Sequence, residues 1–131
     1  MERMNRNTTL LITGSTGGFC TAFIKIIQSQ GFNRLLTLKR QEMDPLDSIS
    51  TQTYFSTYRP QATVHLVSCV FGLGGNLKYQ TKSLIENTTI NNNIFGSIDK
   101  YLLKDFFYVI TVASYPFHSI TVQYPLINKV F

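Results

Sequence analysis

Two glycines carry the first pattern in this sequence that could do chemistry. Gly14 and Gly17 follow the apolar run Leu10–Ile12, which predicts a buried strand, and they precede the apolar-periodic segment 21–30, which predicts a helix. A strand, a glycine turn and a helix start, in that order, can hold a dinucleotide pyrophosphate. The first glycine allows a tight exit from the strand, the second removes a Cβ from the path of the phosphates, and the helix N–H groups supply positive charge. The same order also occurs in an ordinary strand-turn-helix, so the turn alone leaves both interpretations open.

A basic pair, Lys39 and Arg40, follows the turn by about twenty residues, at the end of a second apolar run. In a dinucleotide fold this position meets the adenosine ribose, where an acidic side chain suits NAD and a basic one suits the 2′-phosphate of NADP. The alternative is that both side chains simply solvate the end of a strand. Together with the glycine turn, the spacing favours NADP.

The elements that must position these residues alternate between strand and helix patterns. Strands are predicted at 10–12, 35–38, 62–70 and 106–113, a helix from Asp47 or Ser48 to about Tyr58, a glycine-rich loop at 71–76, and a broken helical stripe at 76–99. Gly31 is placed to end the first helix. Right-handed crossovers imply a doubly wound, Rossmann-type parallel sheet with the strand order 3-2-1-4. The predicted fold class is therefore α/β.

Composition limits the remaining classes of function. The chain has 131 residues and a net charge of +5, and its basic residues never form a run of four, so a nucleic-acid partner is not favoured. No window approaches the roughly 18 apolar residues of a membrane span. Cys20 and Cys69 have no metal or redox spacing and are predicted to be free thiols. His65 lacks ligand partners at metal-site spacing and is predicted to be a hydrogen-bonded strand histidine. These patterns predict one cytoplasmic domain with no metal, nucleic-acid or membrane partner.

Beyond these patterns, the chain resembles the N-terminal part of the GDP-L-fucose synthase family, which consists of NADP-dependent epimerase-reductases of the extended short-chain dehydrogenase superfamily. The resemblance covers about Leu10 to Pro116 and is most specific after the third strand. It is carried by Pro60, Thr63-Val64-His65-Leu66, Gly72-Leu73, Asn76-Leu77-Lys78-Tyr79, Asn87, Asn91, Asn93 and Tyr115-Pro116.

The resemblance implies an incomplete NADP-binding domain at 1–116, a divergent tail at 117–131, a GDP-sugar ligand, and a homodimer through helix 76–99. It also implies that Thr111 matches the family's catalytic serine, which hydrogen-bonds the reacting sugar oxygen. The cofactor-binding residues that it implies are Gly14, Ser15, Thr16, Gly17, Gly18 and Phe19 at the pyrophosphate, Arg40 at the 2′-phosphate, Asp47 near the adenine, and Val67 and Ser68 along the cofactor.

Three departures from the family pattern weigh against turnover. Cys20 replaces the third glycine of the family's turn, and its side chain is expected to push the helix outward. Ala113 replaces a cysteine that transfers a proton in the family. No tyrosine is followed by a lysine in the family's Tyr-x-x-x-Lys arrangement, and the sequence ends before the expected place of that pair. The expectation is NADP(H) binding without turnover by this chain alone. The alternatives are a non-catalytic nucleotide-binding or dimerisation module, and a degenerate, inactive fragment.

Overall fold

Four parallel strands form the sheet of the computed structural model, which describes residues 5–15, 17–38, 41–70 and 72–109. The strands are β1 (Leu10–Thr13), β2 (Leu35–Thr37), β3 (Ala62–His65) and β4 (Asp105–Tyr108). Their order is β2-β1-β3-β4, and β1 pairs in parallel with both β2 and β3. The prediction of an α/β fold with a doubly wound parallel sheet is confirmed.

The structure corrects the predicted order 3-2-1-4 in the position of the third strand. β3 does not lie outside β2; it lies between β1 and β4, with Leu10 opposite Ala62 and Thr13 opposite His65. The chain leaves β1 toward one edge and then returns past it, so the direction of the crossovers reverses between β1 and β3. In an open α/β sheet such a reversal leaves a crevice at the carboxyl ends of the two strands, where ligands bind.

The described residues form four helices. They are α1 (Gly18–Ser29), α2 (Ser48–Tyr58), α3 (Gly72–Lys78) and α4 (Gln80–Lys100). Of these, α1 packs on one face of the sheet, and α2 and α4 pack on the other. Because successive side chains of a strand point to opposite faces, β1 serves both layers. Leu10 and Ile12 pack toward α1, whereas Leu11 packs with residues of α2 and α4. This central strand is therefore completely buried, and its carboxyl end is held from both sides.

The predicted start of α2 and the predicted end of α1 are confirmed, whereas α1 begins at Gly18, before the predicted segment 21–30. Asp47 is the N-cap of α2, and its Oδ1 accepts a hydrogen bond from the Ile49 N–H at 2.9 Å. After α1, Gly31 has a φ of +90° and donates its N–H to Gln28, as expected for a glycine that ends a helix. Local sequence signals decide these boundaries.

Two predicted elements need correction after β3. The strand predicted at 62–70 ends at His65, because the N–H groups of Leu66 and Val67 turn to the hydroxyl oxygen of Thr13 instead of continuing the ladder. The glycine-rich segment predicted as a loop at 71–76 is mostly helix α3. Of the strand predicted at 106–113, the structure describes Asp105–Tyr108 as β4, and residues 110–113 lie outside the described residues.

Candidate functional site

The candidate site lies where β1 and β3 end, and Gly14 is its most constrained residue. Gly14 has a φ of +79°, in the left-handed region that favours glycine. A Cβ on Gly14 would lie 2.9 Å from the backbone nitrogen of Val67 and 3.0 Å from the carbonyl carbon of Leu66. The turn after β1 is therefore pressed against the backbone that follows β3, and only glycine fits there.

The remaining described residues of the turn lead directly into α1. The N–H of Gly17 donates to the carbonyl of Gly14 at 3.1 Å, and Gly17 is the N-cap of the helix. Gly18 and Phe19 begin the helix and are exposed. The first N–H groups of a helix have no partner within it, so this end presents hydrogen-bond donors and the positive end of the helix dipole. Such an arrangement can hold an anion.

Two side chains fix this turn to its surroundings. The hydroxyl of Ser15 donates to the backbone carbonyl of Leu38, immediately after β2. Cys20, which stands in the place of the third glycine, is 4% exposed, and its sulfur lies 3.9 Å from the position of a Cβ on Gly17. Burial raises the pKa of the Cys20 thiol, so the residue packs as a neutral apolar group. The turn is thus tied to β2 and packed from beneath.

A cavity of about 240 Å³ opens beside the turn. Its wall includes Gly14, Leu38, Pro45, Val67 and Ser68, and therefore joins residues that follow β1, β2 and β3. The family resemblance implies that Gly14, Val67 and Ser68 contact one cofactor, and all three line this cavity.

Asp47 is positioned differently from the other predicted site residues. Its carboxylate caps α2, and the cavity is lined by the preceding residues 44–46 instead. Thr16, Arg40 and Thr111, three further predicted site residues, lie outside the described residues.

Three asparagines of α4 bind neighbouring segments, two of them at residues that line the cavity, and sequence reasoning missed this role. Asn87 accepts from the N–H of Cys69 at 2.7 Å and donates to the carbonyl of the same residue at 3.0 Å, much as a neighbouring strand would. Asn93 donates to the carbonyl of Pro45 at 2.9 Å. Asn91 binds the ring of His65 at 3.0 Å. The only signal in the sequence was the unusual abundance of amides in one helix.

His65 is a hydrogen-bonded strand histidine, as predicted. It is 1% exposed, its Nδ1 lies 2.8 Å from the hydroxyl of Thr13, and its Nε2 lies 3.0 Å from Oδ1 of Asn91. Burial lowers the pKa of His65 from its ordinary value of 6.5, and the hydrogen bond to Asn91 opposes this only in part. The ring is therefore neutral near pH 7.

Among residues 5–15, 17–38, 41–70 and 72–109, no group of three or more histidine, cysteine, aspartate or glutamate side chains is arranged to hold a metal ion. None of the four helices in these ranges has the length and apolar character needed to cross a membrane.

Comparison with known proteins places the chain in a family. The sequence pattern of the NAD dependent epimerase/dehydratase family matches residues 10–126. A GDP-L-fucose synthase from Dictyostelium discoideum is 25% identical over 103 residues, which cover 77% of this chain and 32% of that protein.

Solved structures of similar proteins superpose on this chain. A GDP-mannoheptose C4 reductase from Campylobacter jejuni, with NADP bound, superposes with a TM-score of 0.76 at 25% identity, over 80% of this chain and 33% of that one. A GDP-L-fucose synthetase from Naegleria fowleri bound to NADP has a TM-score of 0.73 at 22% identity, over 93% and 35% of the two chains, which supports the fold alone. The chain spans about a third of the length of the relatives that it matches.

Proposed function

Since the chain belongs to the NAD dependent epimerase/dehydratase family, we propose that residues 1–116 belong to an incomplete NADP(H)-binding domain and that residues 117–131 are a divergent C-terminal tail. The observation that carries this proposal is the contact between the Gly14 turn and the backbone of Val67, which leaves no space for a side chain at the mouth of the crevice. A turn packed this closely, followed at once by a helix start, suits a pyrophosphate. The NADP-bound relative from Campylobacter jejuni supports the choice of ligand.

Each part of the cofactor has a proposed contact on this chain. Residues 14–19 would hold the pyrophosphate, and Arg40 would contact the 2′-phosphate. Val67 and Ser68 would line the cofactor. For the adenine, the cavity wall at Pro45 and Leu46 replaces Asp47, because the Asp47 carboxylate is already bound to the start of α2. The bound dinucleotide supplies or accepts a hydride.

The substrate of the whole protein is proposed to be a GDP-linked keto sugar. Relatives named for GDP-sugar chemistry support this class, both among curated proteins and among solved structures. In that reaction the hydroxyl of Thr111 would hydrogen-bond the reacting carbonyl oxygen. The tyrosine and lysine of the family arrangement are absent from these residues, so we expect the 131-residue chain to bind NADP(H) without turnover. A cytoplasmic location remains a prediction from the sequence.

A second role, association through α4, is favoured by one observation. Leu84 and Ile85 are 69% and 59% exposed, and they lie next to each other on this helix. Burial of two adjacent, solvent-exposed apolar side chains against another surface is favourable in free energy, because it removes apolar area from water. We propose that a second copy of the chain covers them, so that α4 forms a homodimer contact.

The experiment that tests the cofactor assignment is a fluorescence titration of the 131-residue chain with NADPH and, separately, with NADH. We expect saturable binding that prefers NADPH. In Arg40→Ala this preference should fall by roughly tenfold or more, because a charge-assisted contact is lost. Arg34→Ala, which removes another arginine close to β2, is the matched control and should retain the preference. A folded chain that binds neither nucleotide would refute the cofactor assignment.

A further inference from the structure

Four polar side chains form a continuous hydrogen-bonded chain beneath the candidate site. Thr13 ends β1, and its hydroxyl lies 2.8 Å from Nδ1 of His65, which ends β3. Nε2 of His65 lies 3.0 Å from Oδ1 of Asn91, and Nδ2 of Asn91 lies 3.1 Å from the hydroxyl of Tyr108. Thr13 and His65 are each 1% exposed, so water does not substitute for these partners. This series of hydrogen bonds thus links β1, β3, α4 and β4 under the carboxyl edge of the sheet.

The direction of each hydrogen bond follows from the number of donors and acceptors. The oxygen of Thr13 accepts the N–H groups of Leu66 at 3.1 Å and Val67 at 3.4 Å, which uses both of its lone pairs. Its own hydrogen must therefore go to Nδ1 of His65. The ring then carries its single proton on Nε2 and donates it to Asn91. In this neutral form every donor has an acceptor.

The same hydroxyl oxygen controls the space at the Gly14 turn. It holds the N–H groups of Leu66 and Val67, and the position of a Cβ on Gly14 is only 2.9 Å from the nitrogen of Val67. A shift of this backbone by a few tenths of an ångström would press on the turn or leave a gap beside it. The geometry of the turn therefore depends on where the proton of His65 lies.

We propose that His65 is a positioning residue for the cofactor turn: the neutral ring takes the hydrogen of Thr13, which keeps the Thr13 oxygen on Leu66 and Val67 and the Gly14 turn in its binding shape. This inference rests on the proposed NADP(H) site and adds a residue that touches neither phosphate nor base.

Protonation of the ring removes this arrangement. A proton on Nδ1 turns an acceptor into a donor, so three donors would compete for the two lone pairs of Thr13. The side chains that face the ring are Thr13 from β1, Asn91 and Phe95 from α4, and Tyr108 from β4, which stacks on it at 5.6 Å between ring centroids. Of these four, only Tyr108 is titratable and none is charged, so no carboxylate among them would stabilise the imidazolium.

The test compares the chain with Thr13→Val, which removes the hydroxyl and keeps the shape, and with Thr13→Ser, which restores the hydroxyl. Each carries His118→Gln, so that His65 is the single histidine. Amide NMR spectra without ligand are recorded between about pH 5 and 8, together with NADPH titrations. We expect the amides of Gly14, Leu66 and Val67 to shift with the titration of His65, and this coupling should be lost in Thr13→Val and recovered in Thr13→Ser.

The affinity for NADPH should follow the same pattern. In the chain that keeps Thr13, the dissociation constant should increase as His65 is protonated. In Thr13→Val it should no longer follow the titration of His65, and where the ring is neutral it should be on the order of tenfold larger, with Thr13→Ser recovering most of the loss. If the amide chemical shifts of the turn do not change as His65 titrates, the inference is overturned, whether or not NADPH binds. A wild-type chain whose amides do shift but which binds no NADPH would instead refute the proposed function. Circular dichroism spectra establish that each variant is folded.

Discussion

At the level of single residues, the candidate site depends on one backbone conformation and one buried ring. Gly14 could be singled out from the sequence because its spacing from a strand and a helix is a local pattern. The partners of His65 could not, because Thr13 and Asn91 are far from it in the sequence and meet it only after the sheet and α4 have packed.

Gly14→Ala tests the backbone requirement. Alanine at a φ of +79°, with its Cβ 2.9 Å from Val67, should lower the free energy of unfolding by about 1–3 kcal/mol and abolish NADPH binding. Gly96→Ala is the matched control. It lies inside α4 with no atom near the added Cβ, and it should stabilise the chain by about 0.5–1 kcal/mol. Urea denaturation measures both, and equal effects of the two substitutions would contradict the argument.

The buried ring of His65 makes stability depend on pH in a definite direction. Its pKa is lowered in the folded chain, so below pH 6.5 the unfolded chain binds more protons than the folded one. The free energy of unfolding should therefore decrease as the pH falls from 6.5 toward the folded pKa, and it should not depend on His65 above 6.5. Urea denaturation at several pH values measures this. His65→Phe keeps an aromatic ring and should lose this part of the acid sensitivity; an unchanged slope would exclude His65 as its source.

At the level of elements, the sequence predicted the helix boundaries that depend on nearby residues, and it did not predict the strand boundary that depends on a distant side chain. The start of α2 at Asp47 and the end of α1 before Gly31 follow from capping residues that act within one turn. The end of β3 does not, because the hydroxyl of Thr13 draws two N–H groups away from the strand. The order of the strands failed for a related reason: a crossover pattern allows the third strand to lie on either side of β1, and tertiary packing selects the side.

Asp47 offers a test at this level, because the family resemblance implies a place near the adenine and the structure shows its carboxylate capping α2. Asp47→Ala should lower the free energy of unfolding by about 0.5–2 kcal/mol, since the N–H of Ile49 loses its acceptor. Asp47→Asn keeps an acceptor and should retain most of the stability. The affinity of both variants for NADPH should equal that of the wild type. A weaker affinity with unchanged stability would restore the adenine assignment.

At the level of the whole molecule, the described residues form one four-stranded parallel sheet with helices on both faces. The chain spans about a third of the length of its relatives, and the structure nevertheless contains both sides of the crevice between β1 and β3. The sequence predicted the sheet because apolar runs and a glycine turn are local signals, and it predicted the family because the residues after the third strand resemble a known one. It could not anticipate which surfaces of α4 remain exposed, since that depends on how the helix is rotated against the sheet.

Association through α4 can be tested with two matched isoleucines. Ile85 on α4 is 59% exposed and Ile26 on α1 is 60% exposed, so glutamate at either position replaces a similar apolar surface. If α4 forms the dimer contact, Ile85→Glu should convert dimers to monomers in sedimentation velocity experiments, because a carboxylate would be buried at the contact. Ile26→Glu should leave the distribution unchanged. Equal behaviour of the two variants would exclude α4 as the contact.

The three asparagines of α4 also limit how this protein can evolve. Asn87, Asn91 and Asn93 each hold a different part of the carboxyl edge of the sheet, and one rigid helix carries all three. Insertion of a single residue before Asn87 would rotate every later side chain by about 100° around the helix axis and detach the three contacts at once. Lengthening of this helix is therefore tolerated only after Asn93 or before Gln80. The loops around the crevice can therefore vary in sequence independently, whereas the three asparagines and the spacing between them must be kept together.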